Sequence, residues 1–295
     1  MRPTIDRRTF LIGAGATTVL AACGSGGGGG SSSDEAQLFA ARFSPPRTLA
    51  ADGTPQRSVW GIADQRGPLQ LEDVPERVVF AIAQDGELVV PRVDVAVRAD
   101  GLPFPYYPVR TTFPAAGIYD LEMSWNGGAV QSVVQVFTPE EVPLLGPGDA
   151  VPAVETPTVD DARGVDPICT RGEICQFHEQ TLAEALEDGL PTVLIVGTPG
   201  FCQTAVCGPM LQLVIEQHEA RGGAFSAVHG EVYDDPQLLR ENTAVTTEVM
   251  DAMGLTEAGF EPSVFLIDAD GIIVERLDNV VDRSELSESI DALLA

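Results

Sequence analysis

Lysine is absent from the 295 residues: all 17 basic side chains are arginine, set against 44 acidic ones, for a formal net charge of -27. A chain so short of cations argues against nucleic acid as a partner, because phosphates are held by clustered basic side chains. It argues equally against electrostatic attraction to anionic lipid. Cysteine and histidine are scarce, at 5 and 3 residues, so thiol or metal chemistry has few donors to draw on. Long apolar runs are missing too. The apolar stretch Leu11 to Ala22 is too short to cross a bilayer as a helix, for which about 20 residues are needed. What remains is a 44% hydrophobic chain, long enough for two ordinary domains plus tails.

The short apolar stretch follows Arg7-Arg8-Thr9-Phe10-Leu11, which resembles a twin-arginine export motif, and closes on Leu20-Ala21-Ala22-Cys23, which resembles a lipobox. The resemblance implies that residues 1–22 are a removed signal peptide. It also implies that Cys23 is the lipidated first residue of an exported lipoprotein on the extracytoplasmic face of the cell membrane. Gly24 to Ser33 is nearly pure Gly and Ser, so residues 23–36 read as a flexible tether.

Residues 37–140 carry short strand signals separated by Pro and Gly. Val93, Val95 and Val97 alternate on one face, and Tyr119, Leu121, Met123 and Trp125 alternate on another. Asn126-Gly127-Gly128 then predicts a hairpin into Ala129 to Phe137. This is the pattern of an all-β sandwich. Phe113-Pro114-Ala115-Ala116-Gly117-Ile118-Tyr119 resembles the tyrosine corner of immunoglobulin-like sandwiches, which implies a structural role for Tyr119. Phe104, Tyr106 and Tyr107 sit among prolines and read as a self-packed loop rather than a binding edge.

Residues 141–295 change character. Thr192 to Val196 is a short β-branched apolar run, hence a buried strand, and it leads through Gly197-Thr198-Pro199-Gly200 to Phe201-Cys202 and Cys207-Gly208-Pro209. Met210, Leu211, Val214 and Ile215 then recur at helical spacing, with Gly208 and Pro209 suited to the helix start. A helix is expected from Thr181 to Glu187, a strand over 225–232, and a helix over 236–253. Strands at 263–268 and 272–277 and a last helix over 282–294 follow. Aromatic-Cys, Cys-Gly-Pro and Glu261-Pro262-Ser263-Val264-Phe265 together resemble the thioredoxin-like families. The resemblance implies an α/β thioredoxin-like domain in which Pro262 is a cis-proline facing the cysteines. Gly148-Asp149-Ala150-Val151-Pro152 also resembles the opening of peroxiredoxin and membrane-anchored thioredoxin-like chains.

The cysteine spacing departs from that family, being C-x4-C rather than C-x-x-C. An aromatic before the thiol gives Cys202 the attacking place, whereas Cys-Gly-Pro gives it to Cys207, and the choice stays open. On a regular helix residues five apart have Cα atoms about 8 to 9 Å apart, beyond the roughly 4.4–6.8 Å that a disulfide spans. A Cys202–Cys207 bond therefore requires a loop between them. Excluding Cys23, four cysteines allow three connectivities. The simplest pairs Cys169 with Cys175 as a structural clip and leaves Cys202 and Cys207 as the catalytic pair, with Pro262 docking the partner.

The expected function is a lipid-anchored thiol-disulfide oxidoreductase acting without a cofactor on protein thiols and disulfides at the cell surface. A peroxidase is disfavoured, since Thr198 lies four residues before Cys202 where Thr-x-x-Cys needs three. Two alternatives stand beside it. Sco-type copper chaperones resemble the arrangement, with copper held by Cys202, Cys207 and His178 or His229, since thiolate with imidazole suits copper. The other is a non-catalytic binding module whose cysteines form structural disulfides. His218, among Glu216, Gln217 and Glu219, reads as solvent-facing.

Overall fold

The alternation read in Tyr119 to Trp125 becomes one strand of a long hairpin. The computed structural model describes residues 37–202 and 205–295, so the expected signal segment, Cys23 and the Gly/Ser tether lie outside the described residues. The first half contains nine strands: β1 (Phe39–Arg42), β2 (Gln56–Asp64), β3 (Gly67–Pro68), β4 (Arg77–Gln84), β5 (Glu87–Leu88), β6 (Val93–Ala96), β7 (Tyr107–Thr111), β8 (Gly117–Trp125) and β9 (Gly128–Val136). β8 and β9 pair antiparallel from Gly117↔Val136 to Trp125↔Gly128, turning at Gly127, whose φ of 110° favours glycine. One sheet runs β5-β4-β8-β9 with β6 also on β4, and the other runs β1-β2-β3 with β7 on β2. Both sheets contribute to one core, Trp60, Ile62 and Val109 from one and Phe80, Leu121, Met123 and Val134 from the other. The Tyr119 hydroxyl donates to the Ala115 carbonyl at 2.6 Å, which closes the corner ahead of β8.

The second half contains β10 (Thr192–Val196), β11 (Ser226–Gly230), β12 (Ser263–Ile267) and β13 (Ile273–Asp278), in the order β11-β10-β12-β13. β10 is parallel to β11 and antiparallel to β12. Helices α1 (Leu182–Glu187), α2 (Cys207–Ala220), α3 (Glu248–Ala252), α4 (Leu255–Ala258) and α5 (Arg283–Leu293) cover both faces. The period of two along β10 decides which helix meets which residue. Val193 and Ile195 face the core shared with α2 and α5. Leu194 and Val196 face the core shared with α1, α3 and α4. With both faces covered the strand must be apolar, as Val193 to Val196 are, and the buried Thr192 hydroxyl is satisfied by donating to the Ala185 carbonyl. The βαβ unit, the hairpin and the final helix follow the order expected of a thioredoxin-like chain.

The helix expected over 236–253 does not form as one piece. Pro236–Glu241 is a 3-10 turn, Asn242 adopts a left-handed conformation with φ 59°, and α3 begins only at Glu248. The β-branched run between them is extended enough for Thr246 to bridge Tyr233.

The two halves are joined by buried charge. Arg57 of β2 donates from Nε and Nη2 to the two carboxylate oxygens of Glu285 in α5, at 2.9 and 2.7 Å. The Tyr106 hydroxyl donates to Glu285 Oε2 at 2.6 Å and accepts the Asp282 N–H at 2.7 Å. Tyr106 is thus wholly buried, as is Tyr107, which opens β7 with its hydroxyl donating to the Pro75 carbonyl, rather than either being part of a self-packed loop. Burial alone would push the Glu285 carboxyl up, but Arg57 and Arg110 outweigh it and hold the pKa at about 2. A small apolar cluster of Val59, Tyr106, Val206 and Val280 lies beside this pair. Through Val206 the β half reaches the residue that precedes Cys207.

Candidate redox site

β10 ends at Val196 and hands the chain to a loop that has almost no room. A Cβ added at Gly197 would stand 3.1 Å from the Pro262 Cβ and 3.6 Å from the Cys207 Cβ. At Gly200 it would stand 2.6 Å from the Thr170 carbonyl oxygen, closer than any real side chain tolerates. The glycines read as a turn in the sequence are thus contact points, one against the proline and the other against the loop of the second cysteine pair.

Cys202 and Cys207 form a disulfide with Cα atoms 6.0 Å apart, inside the usual range. The loop requirement is met because α2 begins at Cys207 itself, with Val206 as its N-cap. Gly208 and Pro209, expected to open the helix, lie within its first turn. The two sulfur-bearing residues differ in access. Cys202 is half-buried beside Phe201, which is 38% exposed, whereas Cys207 is 1% exposed. The Glu261–Pro262 peptide is cis, as expected, and the Gly197 contacts place Pro262 beside Cys207.

Glu261 is the residue that sequence reasoning missed. Its Oε2 lies 3.6 Å from Cys207 Sγ and accepts the Thr198 N–H. Burial is the main cause that raises its pKa, to about 7, with the charge of Glu231 adding and the Thr198 N–H opposing. A carboxyl that titrates near neutrality beside a buried sulfur can give it a proton or take one. The available signal was an acidic residue directly ahead of a proline and a strand that is apolar from Val264 to Ile267.

The second pair differs from expectation. Cys169 and Cys175 are buried free thiols, not a bridge. Both sulfurs turn toward Nδ1 of His229, at 3.8 and 3.6 Å, instead of bonding to each other. His178 and His229, expected as possible partners of Cys202 and Cys207, gather here instead. Donor atoms of Cys169, Cys175, His178 and His229 all lie within 4.8 Å of one another, and all four residues are buried. A hydrogen bond from Cys175 is the main cause that holds the Cys169 thiol well below the usual range despite burial. His218, expected to face solvent, is half-buried, its ring packing edge-on between Phe177 and Phe225 at 5.4 and 5.2 Å.

The two clusters are neighbours, joined through Gly200 and Thr170. The Gly200 N–H donates to Thr170 Oγ1, and Thr170 donates from its N–H and hydroxyl to Glu231 Oε1, at 2.9, 2.6 and 3.0 Å. Asp268-Ala269-Asp270-Gly271, which has the look of a calcium loop, is the β12–β13 turn, with Asp268 Oδ1 accepting the Asp270 and Ile272 N–H groups. Among the described residues no helix is long and apolar enough to cross a membrane.

No family model and no curated protein matches the chain. Among solved structures, 50% of it matches 97% of a thiol:disulfide interchange protein of the thioredoxin family from Chlorobium tepidum TLS, at 12% identity and a TM-score of 0.33. Further, 46% matches 94% of the ZirS C-terminal domain at 11% identity and a TM-score of 0.21. A third match, to BslA, a bacterial hydrophobin, pairs 34% of the chain with 97% of that protein at 14% identity and a TM-score of 0.19. The chain is thus similar in part to a thioredoxin-family interchange protein, while the chemistry open to Cys202 and Cys207 follows from their own surroundings.

Proposed function

We propose that this chain is an exported, lipid-anchored thiol-disulfide oxidoreductase whose working pair is Cys202 and Cys207. The observation that carries it is the asymmetric disulfide: a half-buried Cys202, and a buried Cys207 flanked by Glu261 and cis-Pro262. A partner thiolate attacks Cys202 Sγ, forming a mixed disulfide as the Cys202–Cys207 bond breaks and Cys207 departs with the electron pair. Glu261, when protonated, passes its proton to that sulfur. A second partner thiolate then attacks the partner's sulfur of the mixed disulfide and releases Cys202. Two partner thiols become a disulfide, and the protein gains two electrons. The reverse sequence, with Cys202 attacking a partner disulfide and Cys207 resolving it, uses the same atoms.

Exposed Phe201 beside Cys202 gives a polypeptide partner an apolar foothold. In this proposal Cys23 carries the lipid, residues 23–36 are the tether, and residues 37–140 form an immunoglobulin-like domain that braces the thioredoxin-like domain of residues 141–295. Trapping tests the redox assignment. Cys207→Ser should accumulate mixed disulfides through Cys202, and Cys202→Ser should not. No adduct from either variant, with no exchange between the wild type and a dithiol, would sink it. Cys23→Ser should move the chain out of the membrane fraction.

A further inference from the structure

We propose that Cys169, Cys175, His178 and His229 hold one zinc ion in a closed four-coordinate site, distinct from the Cys202–Cys207 pair. The donor set is complete, with two sulfurs and two ring nitrogens, all buried and mutually within 4.8 Å. Zinc in such sites sits about 2.3 Å from sulfur and about 2.0–2.1 Å from nitrogen, so a tetrahedron has S–N edges of about 3.6 Å and an N–N edge of about 3.3 Å. Three of the six edges here are 3.8 Å and 3.6 Å from His229 Nδ1 to the two sulfurs and 3.1 Å from it to His178 Nε2, and the other three are within 4.8 Å.

The outer ring nitrogens set the tautomers. His229 Nε2 lies 2.9 Å from the Gly197 carbonyl, and His178 Nδ1 lies 3.3 Å from the Pro157 carbonyl. A carbonyl only accepts, so each of those nitrogens carries the proton, and in the neutral rings His229 Nδ1 and His178 Nε2 are bare. Two bare lone pairs then face each other at 3.1 Å between two thiols. A cation between them turns that repulsion into bonding. Backbone carbonyls holding the outer N–H of each ligating histidine are the usual outer support of such a site.

Charge selects the ion. Two thiolates and two neutral imidazoles carry a charge of -2, which Zn2+ cancels in a buried site. Cu+ would leave a negative charge next to buried Glu231, whose Oε1 is 3.9 Å from His229 Nε2. Hard cations are disfavoured by the sulfur ligands. Three ligands come from one stretch, Cys169 to His178, whose regular structure is a single 3-10 turn, Gln176–His178. The fourth comes from β11. The ion would therefore pin a loop to the central sheet, and that loop supports the redox loop through Thr170 and Gly200.

Zinc content of the reduced full chain after incubation with Zn2+ alone is the test. We expect about one zinc per chain, and Co2+ in its place should show tetrahedral d–d bands with thiolate-to-metal charge transfer. Cys175→Ser should lose the bound ion, and the Cys202→Ser/Cys207→Ser double variant should keep it. His178→Cys, a ligand for a ligand, should retain the ion and strengthen the charge-transfer band, which separates ligation from a packing role. No zinc in the folded wild type, retention in Cys175→Ser, loss in the double variant, or uptake of Cu+ without Zn2+ would each overturn the proposal. Mixed-disulfide trapping reads the other pair, so either idea can fail without the other.

Discussion

Glu261→Gln should abolish the pH dependence of disulfide opening near neutrality. As a thiolate attacks Cys202, negative charge develops on Cys207 Sγ, 3.6 Å from Glu261 Oε2. If Glu261 is ionised the two charges repel by roughly 4–5 kcal/mol, taking an effective dielectric constant of about 20. That is about three powers of ten in rate if the charge is fully developed. Opening therefore runs through the protonated carboxyl, whose pKa burial raises to about 7. The protonated fraction falls from roughly nine-tenths at pH 6 to roughly one-tenth at pH 8, so the rate should fall about tenfold over that interval. The assay is the second-order rate constant for reduction by a small dithiol, divided by its thiolate fraction and read by alkylation and mass. Glutamine is neutral and keeps a donor, so the variant should be flat at the acid-limit rate. An inflection near pH 7 that survives in Glu261→Gln, or a flat wild type, would refute the reasoning. Stability gives an independent check with a definite sign. A carboxyl raised from 4.5 to about 7 favours the fold below pH 4.5 and loses that contribution as pH rises through 7. Above pH 7 the variant should be more stable by at most about 3 kcal/mol, reduced by the partial exposure of Glu261.

Glu285 has the opposite sign. Its pKa lowered from 4.5 to about 2 contributes stability above pH 4.5 that is lost as pH falls toward 2. Glu285→Gln should cost about 3–5 kcal/mol in urea unfolding at pH 7, and the gap should narrow by pH 3; an equal gap at both would contradict the ion-pair account. Tyr106→Phe removes the bond to Glu285 and leaves the Asp282 N–H without its acceptor, a loss of about 1–3 kcal/mol, with dithiol exchange unchanged per folded molecule. Gly197→Ala presses on Pro262, whose Cβ would stand 3.1 Å away and must give by a few tenths of an ångström, and should cost about 1–3 kcal/mol and slow exchange. Gly208→Ala, where an added Cβ meets nothing within 4 Å, should change neither.

The parts legible in the sequence are those whose signals are local. Asn126-Gly127 between alternating runs specified the β8–β9 hairpin, and Thr192 to Val196 specified a strand covered on both faces. Glu261-Pro262, read through its resemblance, located the cis-proline. The capping box of α1 was equally local, with Thr181 Oγ1 accepting the Glu184 N–H and Glu184 Oε2 the Thr181 N–H. The expected helix over 236–253 is broken by Asn242 in a left-handed conformation and by the extended β-branched run after it, which Thr246 bridges to Tyr233. Nearness in sequence points to a Cys169–Cys175 bridge, and nothing local shows that His229, some sixty residues on, lies against both sulfurs.

Periodicity, turn chemistry and spacing are written within a few residues, and from them alone the chain determined the β8–β9 hairpin, the buried strand β10 and the loop that a C-x4-C bond demands. Which donors share a buried volume is another matter, because it depends on where strands far apart in sequence come to lie. Only the tertiary structure brought Glu261 to Cys207, gathered His178 and His229 around the free thiols, and set Arg57 against Glu285. Burial in low dielectric then gave those encounters their chemistry, by raising one carboxyl toward neutrality and letting two arginines hold another near pH 2.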